Sequence, residues 1–213
     1  MSSGAFLTVE GSDGAGKTTQ LEYIESWLLS RKIEVVRTRE PGGTELGEKL
    51  RNILLNQVDL SISNETELLM IFAARQQHLQ ELILPALAQG KWVLCDRFTD
   101  ATYAYQGAGR GIDENKISIL EQWVQQGVEP DLTLILDVDV AIGRQRSESR
   151  GDSPDRFERQ AAEFKQAVRA CYLDRSEKHA QRVRVVDAAG SIEAVQQAIT
   201  RELKDFIRRR GPD

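Results

Sequence analysis

The stretch VEGSDGAGKTTQ, residues 9–20, concentrates small, flexible residues directly before a lysine and two threonines. The run AFLTVE at residues 5–10 is apolar and β-prone, and apolar residues recur at helical spacing after the lysine. The glycines therefore lie at a turn from a strand to a helix. Four residues of this turn match the pattern G-x-x-x-x-G-K-S/T: Gly11, Gly16, Lys17 and Thr18.

Each part of this loop suits a chain of phosphate groups. Glycines let successive backbone N–H groups point inward, and the helix that follows adds partial positive charge. Lys17 supplies a full positive charge, and the Thr18 hydroxyl is a ligand type for Mg²⁺. The alternative is a glycine-rich turn with a solvated lysine, but few chance matches lie between a strand and a helix. We therefore predict that the loop binds a nucleoside triphosphate, with Mg²⁺ as cofactor.

The composition is that of one globular domain. The 213 residues suit a single α/β domain, with at most an inserted lid. No apolar stretch approaches the ~18 residues of a membrane span, and the first ten residues do not resemble a secretory signal. The net charge of −5 argues against a nucleic-acid surface, and two cysteines cannot form a disulfide framework. We expect a cytoplasmic protein that binds neither nucleic acid nor a membrane.

Apolar β-prone runs alternate with helical patterns along the whole chain. Strands are predicted at residues 5–10, 34–38, 91–95, 132–137 and 182–186. Helices are predicted at residues 17–30, 46–55, 66–84, 114–124, 140–147, 156–178 and 191–208. Near-continuous apolar strands separated by helices indicate an α/β fold, in which a parallel sheet carries helices on both faces.

In such folds ligands gather at the carboxyl ends of the strands. Three loops should therefore open onto one rim: residues 11–17, TREPGGT after the second strand, and DRFTDATYAYQGAGRG after the third. Residues 96–113 and 147–155 are predicted to be long loops.

Arg75 completes a helical stripe whose other members, at positions 68, 72, 79 and 82, are apolar. A guanidinium on the inward face of a helix is costly unless it pairs with a carboxylate or reaches a ligand. Both interpretations stay open: a buried structural ion pair, or a substrate contact. In the second, Phe72 would offer an aromatic face to a planar base one turn earlier.

Three charged residues near the predicted rim suggest phosphoryl chemistry. Asp96 directly follows a buried strand, where P-loop enzymes place a carboxylate near Mg²⁺. Arg97 beside it could hold a phosphate through its planar fork, and a mutual surface salt bridge is the weaker interpretation. Asp13 lies inside the phosphate loop, in a position that suits contact with a second substrate.

The segment RQRSESRGDSPDRFE carries four arginines between flexible residues: Arg144, Arg146, Arg150 and Arg156. Such a run is usually a solvated face. A phosphotransferase, however, must exclude water and neutralise charge at the γ-phosphate, and a basic lid does both. We predict a lid at about residues 144–156 within a single domain that spans residues 1–213.

Six segments occur in an order that resembles the bacterial thymidylate kinase family: EGSDGAGKTTQ, TREPGGT, FAAR, CDRFTDATYAYQGAGRG, PDLTLILDV and DRFE. The resemblance covers nearly the whole chain, and the second and fourth segments are more discriminating than the phosphate loop. It implies a P-loop NTPase fold with a five-stranded parallel sheet. It also implies phosphorylation of dTMP to dTDP by ATP and Mg²⁺, and usually a homodimer.

The resemblance further implies roles for individual residues. ATP would bind to the phosphate loop, Gly11, Ser12, Asp13, Gly14, Ala15, Gly16, Lys17, Thr18 and Thr19. Thr18 and Asp96 would lie at the Mg²⁺, the latter directly or through water. dTMP would contact Asp13, Glu40, Pro41, Arg51, Phe72, Arg75, Arg97, Thr102, Tyr105 and Gln106.

Within that set, Arg97 would hold the phosphate, Arg75 would reach a thymine carbonyl, and Thr102 and Gln106 would meet the base edge. Tyr105 would crowd the 2′ position of the sugar. The stacking aromatic often lies four residues before the arginine, where this chain has Ile71, whereas Phe72 lies three before it.

The catalytic cation is expected from the lid. Some members of the family carry an arginine in the phosphate loop, at the position that Gly14 occupies here. This chain therefore resembles the class that supplies the arginine from the lid, with Arg150 as the first candidate and Arg146 as the second. Lys17 and Asp96 complete the expected catalytic set.

Two other classes of function remain. One is a P-loop kinase for another nucleoside monophosphate. The other is a GTPase-type or non-catalytic nucleotide-binding module. A GTPase would carry an N-K-x-D segment, which the sequence lacks, and a binding module needs neither a second substrate site nor a lid.

Overall fold

The protein forms one five-stranded parallel sheet in a computed structural model that describes residues 4–57, 59–149, 155–157 and 159–211. The strands are β1 (Phe6–Glu10), β2 (Val35–Arg39), β3 (Trp92–Asp96), β4 (Leu132–Asp137) and β5 (Val183–Asp187). Their spatial order is β2-β3-β1-β4-β5. All five predicted strands are confirmed to within one residue, and so is the predicted α/β class with a parallel sheet.

Helices connect the strands. They are α1 (Lys17–Leu29), α2 (Glu45–Asn56), α3 (Asn64–His78), α4 (Leu84–Ala88), α5 (Thr99–Thr102), α6 (Glu114–Gln125), α7 (Val140–Ser149), α8 (Ala162–Lys178) and α9 (Ile192–Arg210). Wide π-helical turns join α3 to α4 at Leu79–Ile83 and extend α5 at Tyr103–Gly109. None of the helices in the described ranges combines the length and apolar character that a membrane crossing requires.

Helices cover both faces of the sheet, as predicted. Successive residues of β1 point to opposite faces, so Leu7 and Phe6 belong to different hydrophobic clusters. Leu7 packs in a cluster with residues of α1 and α9, whereas Phe6 packs with Leu79 and Ile83 of the first π-helical turn. This arrangement buries β1 completely and leaves the strand ends for the loops.

The helix over residues 99–109 was not predicted, and it corrects the expectation of a loop at residues 96–113. Gly107 and Gly109 lower helix propensity and so hid this element in the sequence. The structure explains Gly109, because a Cβ there would lie 2.5 Å from a ring carbon of Phe164 on α8. This glycine therefore lets the π-helical turn approach α8 closely.

The helix predicted from residue 156 begins instead at Ala162. The backbone N–H of Arg156 donates to the carbonyl of Leu55 at 3.2 Å, which ties this residue to the end of α2 rather than to α8. Residues 147–149, predicted as part of a loop, belong to α7.

Candidate active site

A cavity of about 890 Å³ opens at the carboxyl edge of the sheet. The phosphate loop after β1 and the segments after β2 and β3 all line it, so the three loops do share one rim, as predicted. The expected site residues that line it are Asp13, Gly14, Ala15, Gly16, Lys17, Thr18, Thr19, Glu40, Pro41, Arg51, Arg75, Asp96, Arg97, Thr102, Tyr105, Gln106 and Arg146. Arg150, the first candidate for the lid arginine, lies outside the described residues.

The phosphate loop has a conformation that its glycines make possible. Gly16 precedes α1 with φ 87°, and Gly14 has φ 78°, a region that side chains rarely adopt. A Cβ on Gly14 would also collide with the carbonyl oxygen of Gly143 at the base of α7. An arginine at position 14 would therefore be strained and blocked, which fits the expectation that the cation comes from another segment.

Lys17 folds back over its own loop. Its Nζ donates to the carbonyl oxygens of Gly11 at 3.1 Å and Ser12 at 3.2 Å. Gly11 and Ser12 were expected at ATP but do not line the cavity. Their carbonyl oxygens hold the Lys17 side chain instead. Burial lowers the pKa of Lys17 to about 8, and the positive charge of Arg97 adds to this decrease, while nearby carboxylates oppose it.

Arg97 pairs with Asp13 rather than with its neighbour in the chain. Its Nη2 donates to Asp13 Oδ1 at 2.9 Å, and its Nη1 donates to the Gly11 carbonyl at 2.9 Å and to the Tyr172 hydroxyl at 3.2 Å. Its backbone has φ 68°, which is uncommon outside glycine and often marks functional sites. The guanidinium is thus held at the cavity wall.

Glu10 and Tyr172 support Arg97, and neither was anticipated. Glu10, at the end of β1, accepts from the Phe98 N–H at 2.7 Å and from the Tyr172 hydroxyl at 2.8 Å. Burial, with the nearby Asp100 carboxylate, raises the pKa of Glu10 to about 7. Glu10 could have been identified from the sequence, because its carboxylate directly precedes Gly11 of the phosphate loop. Tyr172 could not, because it lies 162 residues further along the chain and reaches Glu10 through the fold.

Two residues offer oxygen ligands suited to Mg²⁺. Asp96 Oδ1 is buried and has no hydrogen-bond partner in the described part of the chain. Thr18 is the second residue of α1 and lines the same cavity. Carboxylate and hydroxyl oxygens are the ligand types that Mg²⁺ prefers, and an unpaired buried oxygen fits such a role. Within the described ranges no group of three or more His, Cys, Asp or Glu side chains could hold a metal ion.

Of the two interpretations of Arg75 left open by the sequence, the structure shows the ion pair, and the substrate contact stays a prediction. Its Nε donates to Glu40 Oε2 at 2.8 Å and its Nη2 donates to Thr102 Oγ1 at 2.9 Å, so the buried ion pair is confirmed. Its Nη1 is buried but has no partner among the described residues. Glu40 also meets His78 Nδ1 at 3.0 Å, which completes its pairing. A guanidinium donor therefore remains for a ligand in the cavity.

The structure corrects the placement of Phe72. Its ring is 2% exposed and packs with Leu68 and Tyr103 between α3 and α6, outside the cavity lining. Ile71 lines the cavity instead. Successive residues of a helix point about 100° apart, so one residue moves the ring from the cavity to the core. Phe72 contacts Arg75, whose guanidinium lies 4.8 Å from the ring centroid.

Two further residues expected at the site come from the unpredicted helix and from α2. The Tyr105 ring lies 4.7 Å from the Arg97 guanidinium and meets Phe157 edge-on at 5.6 Å. Arg51 donates to the Pro41 carbonyl at 2.9 Å, and burial lowers its pKa. The arginine therefore lies against the turn that follows β2.

The far end of the cavity is built from residues that sequence reasoning missed. They follow β5 and begin α9: Ala188, Gly190, Ser191, Ile192 and Val195. Arg146 of α7 joins them by donating to the carbonyls of Ala188 at 2.7 Å and Ala189 at 3.1 Å. The rule on strand ends was the available signal, because β5 ends at the same edge as β1.

The parallel sheet, the phosphate loop after β1 and the cavity beside it define a P-loop NTPase fold. The family profile described as Thymidylate kinase matches residues 9–199. Proteins named thymidylate kinase from Chromohalobacter salexigens and Pseudomonas putida are 52% and 51% identical to this chain, over 97% of it and 98% of each relative. A crystal structure of thymidylate kinase from Ehrlichia chaffeensis superposes with a TM-score of 0.78 at 35% identity, and covers 94% of this chain and 99% of that one. The chain belongs to the thymidylate kinase family.

Proposed function

We propose that this chain transfers the γ-phosphoryl group of ATP to dTMP, which gives ADP and dTDP. One observation carries the proposal: the phosphate loop and the residues Arg75, Thr102 and Gln106 line one and the same cavity. Membership of the thymidylate kinase family supports the same substrates. A triphosphate and an acceptor can therefore meet in one site without an intermediate carrier.

The donor occupies the phosphate loop in this proposal. Backbone N–H groups of the phosphate loop and of the first turn of α1, together with Lys17, hold its phosphates, and the base lies toward the segment after β5. Thr18 and Asp96 hold Mg²⁺. When bound, Mg²⁺ supplies positive charge that offsets the negative charge of the β- and γ-phosphates.

The acceptor occupies the opposite end. Arg97 holds its phosphate, and the contacts from Asp13 and Tyr172 keep that guanidinium in place before substrate arrives. Arg75 Nη1 donates to a carbonyl of the base, and Tyr105 limits the space at the sugar. Phosphoryl transfer depends mainly on such positioning and on countering charge.

The acceptor preference tests this proposal. dTMP is expected to be the preferred acceptor, and dUMP, which lacks the methyl group, should have a kcat/KM lower by about 10- to 200-fold, since one methyl in an apolar pocket contributes about 1–3 kcal/mol. Steady-state kinetics across a panel of monophosphates, with ATP saturating, gives these ratios. Equal efficiency with CMP or GMP would contradict the proposal.

Arg75→Ala is expected to raise the KM for dTMP by about 10- to 100-fold, because a hydrogen bond to a charged group contributes about 1.5–3 kcal/mol. The KM for ATP should change little. The melting temperature should also fall by several degrees, because Glu40 loses a buried partner. Arg208→Ala, which removes an exposed arginine paired with Asp205, is the matched control. An equal rise in both KM values would leave Arg75 with a structural role only.

The pKa of Lys17 predicts a pH dependence. Its lowered value of about 8 means that the free enzyme carries this positive charge below pH 8 and loses it as the pH rises through that value. The kcat/KM for ATP, which reports groups of the free enzyme, should therefore decline above about pH 8. If kcat/KM for ATP stays constant up to pH 10, ATP binding does not depend on the charge of Lys17.

We propose in addition that two copies of the chain form a homodimer. Leu69 on α3 and Ile119 and Trp123 on α6 are 55%, 66% and 74% exposed. The two helices lie side by side, with Lys116 Nζ 3.6 Å from Glu65 Oε1. Large exposed apolar side chains on neighbouring helices are typical of an interface between protein chains.

A cytoplasmic location fits the cysteines. Cys95 and Cys171 are both free, and Cys95 is buried. Burial raises the pKa of both thiols, which keeps them protonated and unreactive. We propose that the enzyme works in the reducing cytoplasm.

A further inference from the structure

Glu67 is a buried carboxylate that lies behind the acceptor end of the cavity. It belongs to the first turn of α3, is 0% exposed and is not part of the cavity lining. Two side chains donate to it: Gln106 Nε2 at 2.9 Å to Oε1 and Arg110 Nε at 3.2 Å to Oε1. Arg156 adds an ion pair, with its Nη2 3.4 Å from Oε2. Because a buried ion pair often adds little net stability, a buried carboxylate with two guanidinium partners indicates a role besides packing.

Those contacts determine which way the Gln106 amide points. A carboxylate between two guanidinium groups offers only acceptors, so the amide must turn its NH₂ group toward Glu67. The amide oxygen Oε1 is then the atom left for a ligand. It has no hydrogen-bond partner in the part of the chain that the structure describes, and Gln106 lines the cavity. At this position the cavity presents a hydrogen-bond acceptor.

The neighbouring side chains of Arg75 and Thr102 present hydrogen-bond donors. Arg75 Nη1 is an unpaired N–H donor. Because Arg75 Nη2 donates to Thr102 Oγ1, the hydroxyl hydrogen of Thr102 is free to donate elsewhere. Two donors and one acceptor complement an imide edge, in which an N–H lies between two carbonyl groups. Thymine and uracil have this edge. Cytosine does not, because its N3 carries no proton and its C4 carries an amino group.

We propose that Glu67 is a positioning residue that sets the base specificity of the acceptor site. It fixes the Gln106 amide so that the cavity accepts a base with a protonated N3 and rejects one without it. The proposal rests on the proposed function only in placing the base at this end of the cavity. It concerns the imide edge, which dTMP and dUMP share, rather than the methyl group that separates them.

Glu67→Gln tests this role. A glutamine at position 67 can turn either its carbonyl or its NH₂ group toward Gln106, so the amide is no longer fixed. The kcat/KM ratio of dTMP to dCMP should fall by about tenfold or more, within the 1–3 kcal/mol of discrimination that a well-placed hydrogen-bonded pair contributes. The ratio of dTMP to dUMP and the KM for ATP should stay within about twofold of the original values, because neither depends on the amide.

Two further variants separate specificity from stability. Arg110→Met removes a cation partner of Glu67 but keeps the bond to Gln106, so it should lower the melting temperature while the dTMP to dCMP ratio stays unchanged. The exchange Glu67→Gln with Gln106→Glu keeps the total charge. In it the new glutamine donates to the new carboxylate, whose other oxygen still accepts, so the ratio should recover.

The outcomes distinguish this inference from the proposed function. A folded Glu67→Gln variant with an unchanged dTMP to dCMP ratio would overturn the inference, as would an exchange variant that fails to recover it. An original protein that prefers dCMP to both dTMP and dUMP would overturn it too. A preference for UMP over dTMP would support the role of Glu67 and contradict dTMP as the substrate.

Discussion

Arg150→Ala is expected to lower kcat by about 10³-fold or more while the Kd for ATP changes little. In-line phosphoryl transfer spreads negative charge over the oxygens of the γ-phosphate, and an arginine beside them can counter that charge mainly in the transition state. The phosphate loop offers only backbone N–H groups at Gly14 and Ala15, and position 14 has no room for an arginine. The basic segment at about residues 144–156 is therefore the proposed source of the cation.

Arg146→Ala is the informative comparison. Its guanidinium already donates to the carbonyls of Ala188 and Ala189, so we expect a smaller fall in kcat and a larger change in ATP affinity. Arg144→Ala is the control, because Arg144 is exposed and pairs with Glu148 one turn away at 2.7 Å. Each variant needs kcat from turnover and Kd for ATP from calorimetry. If Arg150→Ala and Arg146→Ala both keep a near-normal kcat, the segment is a solvated loop and the charge is countered elsewhere.

Arg97→Ala is expected to have the second large effect, on the acceptor side. Arg97 is the proposed ligand of the dTMP phosphate, and its charge-assisted hydrogen bonds, at about 1.5–3 kcal/mol each, are lost with it, so kcat/KM for dTMP should fall by about 30-fold or more. Its partly buried partner Asp13 loses its ion pair as well. Arg97→Lys should recover only part of the loss, because lysine keeps the charge but lacks the planar fork.

The Kd values for ATP and dTMP measured on the same variants decide the role of Arg97. A selective loss of dTMP affinity is the expected result. Arg37→Ala is a suitable control, since Arg37 pairs with Glu25 away from the cavity lining. Equal weakening of both nucleotides would show that Arg97 supports the phosphate loop rather than the acceptor.

The sequence predicted the parts of this fold that depend on local patterns. The three central strands β1, β3 and β4 are mostly apolar runs, and the edge strands β2 and β5 are rich in valine. The phosphate loop is a contiguous motif, so residues 9–20 were sufficient to place the turn between β1 and α1. The shared rim followed from the rule that parallel strands end at one edge. Arg75 was identified because a charge interrupted an apolar stripe.

What the sequence did not predict depends on distant contacts. Two glycines hid the helix over residues 99–109. The reason for Gly109 is its close approach to Phe164, which is a tertiary contact. Tyr172 reaches Glu10 only because α8 returns to the sheet edge. The direction of the Phe72 ring depends on which face of α3 meets α6, and the helical spacing alone could not decide it.

Direct transfer from ATP to dTMP can be followed with one radioactive label. The enzyme is incubated with [γ-³²P]ATP, Mg²⁺ and an equimolar mixture of dTMP, dCMP, dAMP and dGMP, and the nucleotides are then separated. The label should appear in dTDP, with little in inorganic phosphate, because one cavity holds both the donor loop and an acceptor end that matches thymine. Label in another diphosphate, or release of labelled phosphate at a rate that dTMP does not change, would contradict the proposed function.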